Sequence, residues 1–232
     1  MGVLEQDPTT SRRFVFPRWS NLLLPAVVVA AVGAPAYLGL LVPLMGSPTT
    51  LNTGYMPVQP VEYSHELHVN QLGMDCRYCH TTVDKADFAA IPSSAVCMNC
   101  HHAILPNSEK LAPVRQSYET GQPIRWVKVH DLPDYAYFSH APHVNAGVSC
   151  YECHGRVDKM AEEGVFQVEN LSMSWCLECH REPEQAIRPR DKVYDLGWSL
   201  EDATAADRAE IEQLHRRLPP EQVLTDCSTC HR

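Results

Sequence analysis

The sequence predicts a mostly irregular fold of short α-helices, preceded by a single transmembrane helix. Three observations predict it. All ten cysteines fall in five Cys-x-x-Cys pairs, each followed directly by histidine, and none is left over. Eighteen prolines among 232 residues interrupt long regular elements. Residues Asn21 to Leu44 carry no charge over 24 positions. Length alone allows one or two domains, and a hydrophobic share of 44% excludes a disordered chain.

The first element is the uncharged run. At 1.5 Å per residue it reaches about 36 Å, enough to cross a bilayer. Arg12, Arg13 and Arg18 precede it, and no Lys or Arg occurs from Trp19 through Cys76. The positive-inside rule therefore puts the N-terminus in the cytoplasm and the rest outside. A cleaved signal peptide ending near Ala34-Pro35-Ala36 is the competing reading; the apolar run continues past it through Tyr37 to Leu44. Ala26, Ala30 and Ala34 form a small-residue stripe that permits close helix contact. The expected division is a cytoplasmic tail (1–20), an anchor (21–45), a polar proline-bearing linker (46–62) and a domain (63–232).

The motifs of that domain are Cys76/Cys79/His80, Cys97/Cys100/His101, Cys150/Cys153/His154, Cys176/Cys179/His180 and Cys227/Cys230/His231. Cys-x-x-Cys-His is the attachment signal for c-type haem. The two sulfurs form thioethers to the porphyrin, and the histidine supplies the proximal nitrogen. Zinc knuckles need no histidine after each pair. Five covalently bound haems are therefore expected. Cys76 to His231 spans 156 residues, about 31 per motif, too few for five separate cores. The haems are expected to pack on one another and to form much of the core. Haem attachment belongs outside the cytoplasm, in agreement with the charge rule.

The chain repeats itself. Tyr63 onward reads YSHELHVNQLGMDCRYCHTTVDK, and Phe138 onward reads FSHAPHVNAGVSCYECHGRVDK. Each copy is followed by a second motif, so 63–102 and 138–181 are two two-haem units, with one C-terminal haem at 227–231. Histidines at i and i+3 of one turn share a side at different heights. His65 and His68, and His140 and His143, are thus expected to be distal ligands of two neighbouring irons each. The first of each pair is assigned to the motif that follows it. A fifth distal ligand is open among Met173, His130 and His102. His215 reads as a cation at a helix C-terminus.

Residues 199–218 read as a helix, with Ser199 and Asp202 resembling a capping box and Pro219 ending it. The part after the anchor carries 16 Lys/Arg against 26 Asp/Glu. Such acidity disfavours nucleic acid and suits basic protein carriers.

The repeated Ser-His-x-x-His before Cys-x-x-Cys-His resembles the class III cytochromes c, the c3 and c7 type. VHDLPDYAYFSHAPHVNAGVSCYECHGRVDKM and LSMSWCLECHREP, with an N-terminal anchor and five motifs, look most like the pentahaem subunit of alternative complex III. The resemblance implies a complex that oxidises a quinol, commonly menaquinol. Its partners would be polytopic quinol-binding subunits, an iron–sulfur subunit and a monohaem cytochrome c. A soluble carrier or a terminal oxidase would accept the electrons. It further implies one His/Met haem, with Met173 matching the methionine of Leu-x-Met-x-Trp-Cys. No residue is expected to turn over a substrate. The alternatives are a stand-alone quinol dehydrogenase cytochrome and a nitrite- or hydroxylamine-type multihaem enzyme. The latter needs an open sixth position, whereas this chain has more candidate ligands than irons.

Overall fold

The structure is a computed structural model, and it describes residues 16–45, 47 and 51–231. Arg12 and Arg13 of the charged flank and several linker positions lie outside the described residues. The chain forms two compact units, Met1–Thr50 and Leu51–Arg232.

In the first unit, a 3₁₀ turn at Arg18–Leu22 leads into α1, Leu23–Met45. Its 23 residues reach about 35 Å. The helix runs through Pro35 and Pro43, and none of its residues is buried. It is long and apolar enough to cross a membrane.

The second unit is made of short helices joined by loops: α2 (Cys76–Cys79), α3 (Ser94–His101), α4 (Ala112–Thr120), α5 (His140–Ala146), α6 (Tyr151–His154), α7 (Met173–Arg181), α8 (Ala205–His215), α9 (Glu221–Leu224) and α10 (Cys227–Cys230). A π-helical turn covers Glu66–Gln71. Among the described residues the only β pairing is an isolated bridge, Val148 to Ile187. The expected class, helical and irregular without a sheet, is what the structure shows.

The helix expected over 199–218 is shorter. Ser199 Oγ does bond Asp202, at 2.9 Å, but within a 3₁₀ turn that ends in extended backbone at Ala203. The helix begins after Thr204, which forms the true capping box with Asp207. Two cap-like pairs stand five residues apart in sequence, and only backbone geometry distinguishes them.

The polypeptide core is small. Its most buried stretch is 186–198, where Ile187, Val193, Leu196 and Trp198 are all at most 9% exposed. Arg188 is buried among them. Its guanidinium donates to Glu152 at 2.9 Å and to the Asp195 carbonyl at 3.0 Å, and lies over the rings of Tyr151 and Trp198. Glu152 stands between Cys150 and Cys153, so this buried ion pair fastens the core segment to α6.

Candidate haem-binding sites

Each Cys-x-x-Cys pair lies on a helical turn, which brings sulfurs at i and i+3 to one side. Three of the turns are capped alike. Asp75, Ser149 and Asp226 immediately precede the first cysteine, and their side-chain oxygens accept from the amides of Arg77 (2.8 Å), Tyr151 (3.3 Å) and Ser228 (2.9 Å). The turn closes when the histidine amide donates to the first cysteine carbonyl, as in His80 to Cys76 (2.9 Å), His154 to Cys150 and His231 to Cys227 (both 2.8 Å). The other two pairs end longer helices, α3 and α7. No disulfide joins any of the ten cysteines, so every sulfur is available for a thioether to haem. Burial pushes the Cys150 thiol up to about 11 and that of Cys153 up to about 12.

Eight of the ten cysteines are partly covered by the chain, whereas Cys100 and Cys227 are exposed. Cys100 lies in the last turn of α3. The Ala103 and Ile104 amides donate to the Cys100 carbonyl, at 3.0 and 2.9 Å, and close that turn. The turn places the Ile104 carbonyl beside the His101 ring, so it orients the histidine and leaves the Cys100 side chain at the surface.

The imidazoles are oriented by the backbone. Nδ1 of His80, His101, His180 and His231 lies 2.8–3.0 Å from the carbonyls of Ala90, Ile104, Leu224 and Tyr135. Nδ1 of His68, His140 and His143 lies 2.7–2.8 Å from the carbonyls of Ser64, Asp87 and Ser139. A carbonyl only accepts, so Nδ1 carries the proton and Nε2 keeps its lone pair for a metal. Burial, together with neighbouring imidazoles, pushes His154 down to about 3 and His65 to about 4. His143 and His130 are lowered chiefly by burial. Neutral imidazole is the ligating form.

These rings stand opposite one another in pairs, nearly parallel for His140/His154 and His143/His180 and at 63° for His68/His101. The centroids of His140 and His154 are 6.4 Å apart with planes 7° from parallel; those of His143 and His180 are 6.0 Å apart; those of His68 and His101 are 6.1 Å apart. Two iron–nitrogen bonds of about 2.0 Å, plus about 1.1 Å from each nitrogen to its ring centre, give roughly 6.2 Å. The pairs therefore have the spacing that an iron between them requires. His65 completes the pattern within electrostatic reach of His80. Its Nδ1 is buried without a partner, unlike that of its repeat equivalent His140.

One aromatic residue braces each pair of distal candidates. The Tyr63 ring stacks on His68 (4.6 Å) and meets His65 edge-on (4.8 Å). Phe138 lies tilted against His143 (4.7 Å) and meets His140 edge-on (4.8 Å). The repeat signature showed these aromatics, but their wedge role required coordinates, as did the separate carbonyls that orient the rings.

The candidates for a fifth distal ligand lie on different parts of the chain. Met173 opens α7 and is 67% exposed. His130 packs edge-on against His154 at 4.4 Å, with a buried Nε2 that has no partner. His102 follows α3, with Nδ1 on the Met98 carbonyl at 2.9 Å. His215 ends α8, 3.5 Å from Glu184. The ring packed beside His231 is that of Tyr135, at 5.9 Å.

Residues 136–232 match the family described as cytochrome c7 and related cytochrome c. This stretch is a cytochrome c7-like multihaem domain. Its cysteine pairs carry covalently bound c-type haem. The chain is also similar to the menaquinone reductase multiheme cytochrome c subunit of Nitratidesulfovibrio vulgaris. The two are 35% identical over 126 residues, which is 52% of this chain and 58% of that protein. The chain thus spans little more than half the length of the curated relative it matches. The resemblance expected from the sequence holds at the level of the c7-like multihaem family.

Proposed function

We propose that the chain is a membrane-anchored pentahaem cytochrome that passes electrons between a membrane quinol-linked complex and a protein acceptor on the extracytoplasmic side. The carrying observation is the set of facing histidine pairs at 6.0–6.4 Å. Haem iron supplies the one-electron chemistry. The chain's residues do the holding. Ten cysteines bind the porphyrins, and His80, His101, His154, His180 and His231 are the proximal ligands. His65, His68, His140 and His143 oppose the first four of these in that order. Backbone carbonyls fix the tautomers of seven of these nine rings, all but His65 and His154, and Tyr63 and Phe138 keep the distal rings apart. The small polypeptide core supports haems forming much of the interior.

For the motif at Cys227, Met173 is the best-placed distal ligand. It stands one turn before Cys176, and Cys176 is within electrostatic reach of Cys230. His130 is instead committed to the flank of His154.

In this reading the partners are those of alternative complex III: polytopic quinol-binding subunits, an iron–sulfur subunit, a monohaem cytochrome c and a soluble acceptor. Electrons then leave the quinol. A second reading reverses the flow, and the similarity to a menaquinone reductase subunit favours it. Gentle solubilisation followed by subunit identification tests the complex, and the sign of quinol-dependent haem reduction tests the direction. For the ligands, His140→Ala is expected to give one high-spin haem and leave four low-spin. An unchanged spectrum and redox titration would sink that assignment.

A further inference from the structure

The structure also orders the attachment sites in space, and that order is not the order of the sequence. Sites 1 to 5 are here the motifs at Cys76, Cys97, Cys150, Cys176 and Cys227.

Sites 1 and 2 adjoin. Cys79 is within electrostatic reach of Cys97, and Asn99 Nδ2 donates to the Tyr78 hydroxyl at 3.2 Å. Sites 3 and 4 adjoin in the same way inside the second repeat, where Cys153 is within reach of Cys176 and Cys179. Sites 4 and 5 adjoin through the first of three bonds and through Cys176, which is within electrostatic reach of Cys230, while the other two bonds tie site 5 to the segment before Phe138. His180 Nδ1 donates to the Leu224 carbonyl, the Tyr137 amide to the Cys230 carbonyl, and His231 Nδ1 to the Tyr135 carbonyl, each at 2.8 Å.

The decisive contact joins the repeats. The Ala141 amide donates to the Ala86 carbonyl at 3.2 Å, and the Glu66 amide donates to the Met160 carbonyl at 3.0 Å. Ala141 and Glu66 are equivalent positions of the two repeats, as are Ala86 and Met160. The loop after the first motif of each repeat therefore holds the distal-histidine turn of the other. This reciprocal contact, an approximate two-fold, places the first site of one repeat against the first site of the other. Cys150 is within electrostatic reach of Cys76, and His154 of both His80 and His65.

From this geometry we infer that the five sites form one row in the order 2–1–3–4–5, with its ends at Cys97–His101 and Cys227–His231. Each repeat contributes an inner site and an outer one, and the fifth extends the row beyond site 4. The two exposed cysteines, Cys100 and Cys227, belong to the two end sites. The row begins at the second motif of the chain, so a partner reaching its free end meets α3 and not α2.

The inference rests on the five-haem reading, and the test separates the two. Pyridine haemochrome analysis of the full chain in detergent gives the haem count; a count other than five overturns the five-haem reading. Iron positions in the same holoprotein, from anomalous scattering or cryo-electron microscopy, give the order. Nearest-neighbour iron pairs are expected at 2–1, 1–3, 3–4 and 4–5. Five irons with site 2 nearer to site 3 than site 1 is would overturn the order alone. A second measurement uses Cys97→Ser/Cys100→Ser, which removes site 2. After pulse reduction the remaining four haems are expected to equilibrate as one group. Isolation of site 1 from the other three would match sequence order and refute the row.

Discussion

Gly147 ends the helix that carries His140 and His143, and its replacement by alanine tests whether this joint is as tight as it looks. Its φ is +99°, and a Cβ there would lie 2.7 Å from the Arg188 carbonyl oxygen and 3.1 Å from atoms of Ile187 and Leu214. The first of these is backbone, and the Gly147 carbonyl itself accepts from the Arg188 amide at 2.8 Å, so neither side yields cheaply. Gly73, its repeat equivalent, has φ +68° and nothing within 4 Å of an added Cβ. Left-handed backbone costs a non-glycine residue about 1–2 kcal/mol at either position. Overpacking adds about 2 kcal/mol at Gly147 only. In a domain of this size each kcal/mol moves the melting temperature by about 2–4 °C. Gly147→Ala is therefore expected to melt at least about 4 °C below Gly73→Ala, followed by far-UV circular dichroism of the holoprotein. Equal melting of the two variants would refute the reasoning, because strain without the clash is common to both.

Two further outcomes follow from the same contacts. Phe138→Ala removes the wedge between His140 and His143; Phe138 is 38% exposed, so the loss is about 2 kcal/mol, less than for a fully buried ring. The electron paramagnetic resonance signals of two haems should shift, whereas Tyr63→Phe, which keeps the wedge, leaves the spectrum as it is. Asp158 is held below its ordinary value of 3.8, first by hydrogen bonds from Arg156 at 2.6 and 2.8 Å. A depressed folded-state pKa gives stability that is present above about pH 4 and lost as pH falls through the folded value. Acid titration of unfolding should therefore show a shallower low-pH slope in Asp158→Asn than in the parent, and an identical slope would dismiss the pair as a contributor.

Much of the site was legible in the sequence because covalent attachment needs fixed spacing. The five motifs, the helical turns beneath them and the duplicated histidines at 65/68 and 140/143 could all be read from residue order. The assignment of the first histidine to the following motif has a geometric counterpart in the facing rings of His140 and His154. What could not be read depends on backbone carbonyls, which every residue has. Ala90, Ile104, Leu224 and Tyr135 orient the proximal rings, and no side chain marks them. The start of α8 was misplaced because Ser199–Asp202 and Thr204–Asp207 offer the same local chemistry. The buried role of Arg188 was hidden too, since a guanidinium in a charged stretch ordinarily reads as surface.

The exchange of carbonyls between Ala86 and Met160 also bears on how the chain acquires its shape during synthesis. The ribosome releases residues 63–102 long before residue 160. Until then the amide of Glu66 lacks its acceptor, and the His65–His68 turn lacks one of its restraints. The first repeat is thus completed by the second, and its histidines reach their final positions only after some sixty further residues have emerged. A chain halted after α4 holds two attachment motifs without the loop that fixes the first histidine turn.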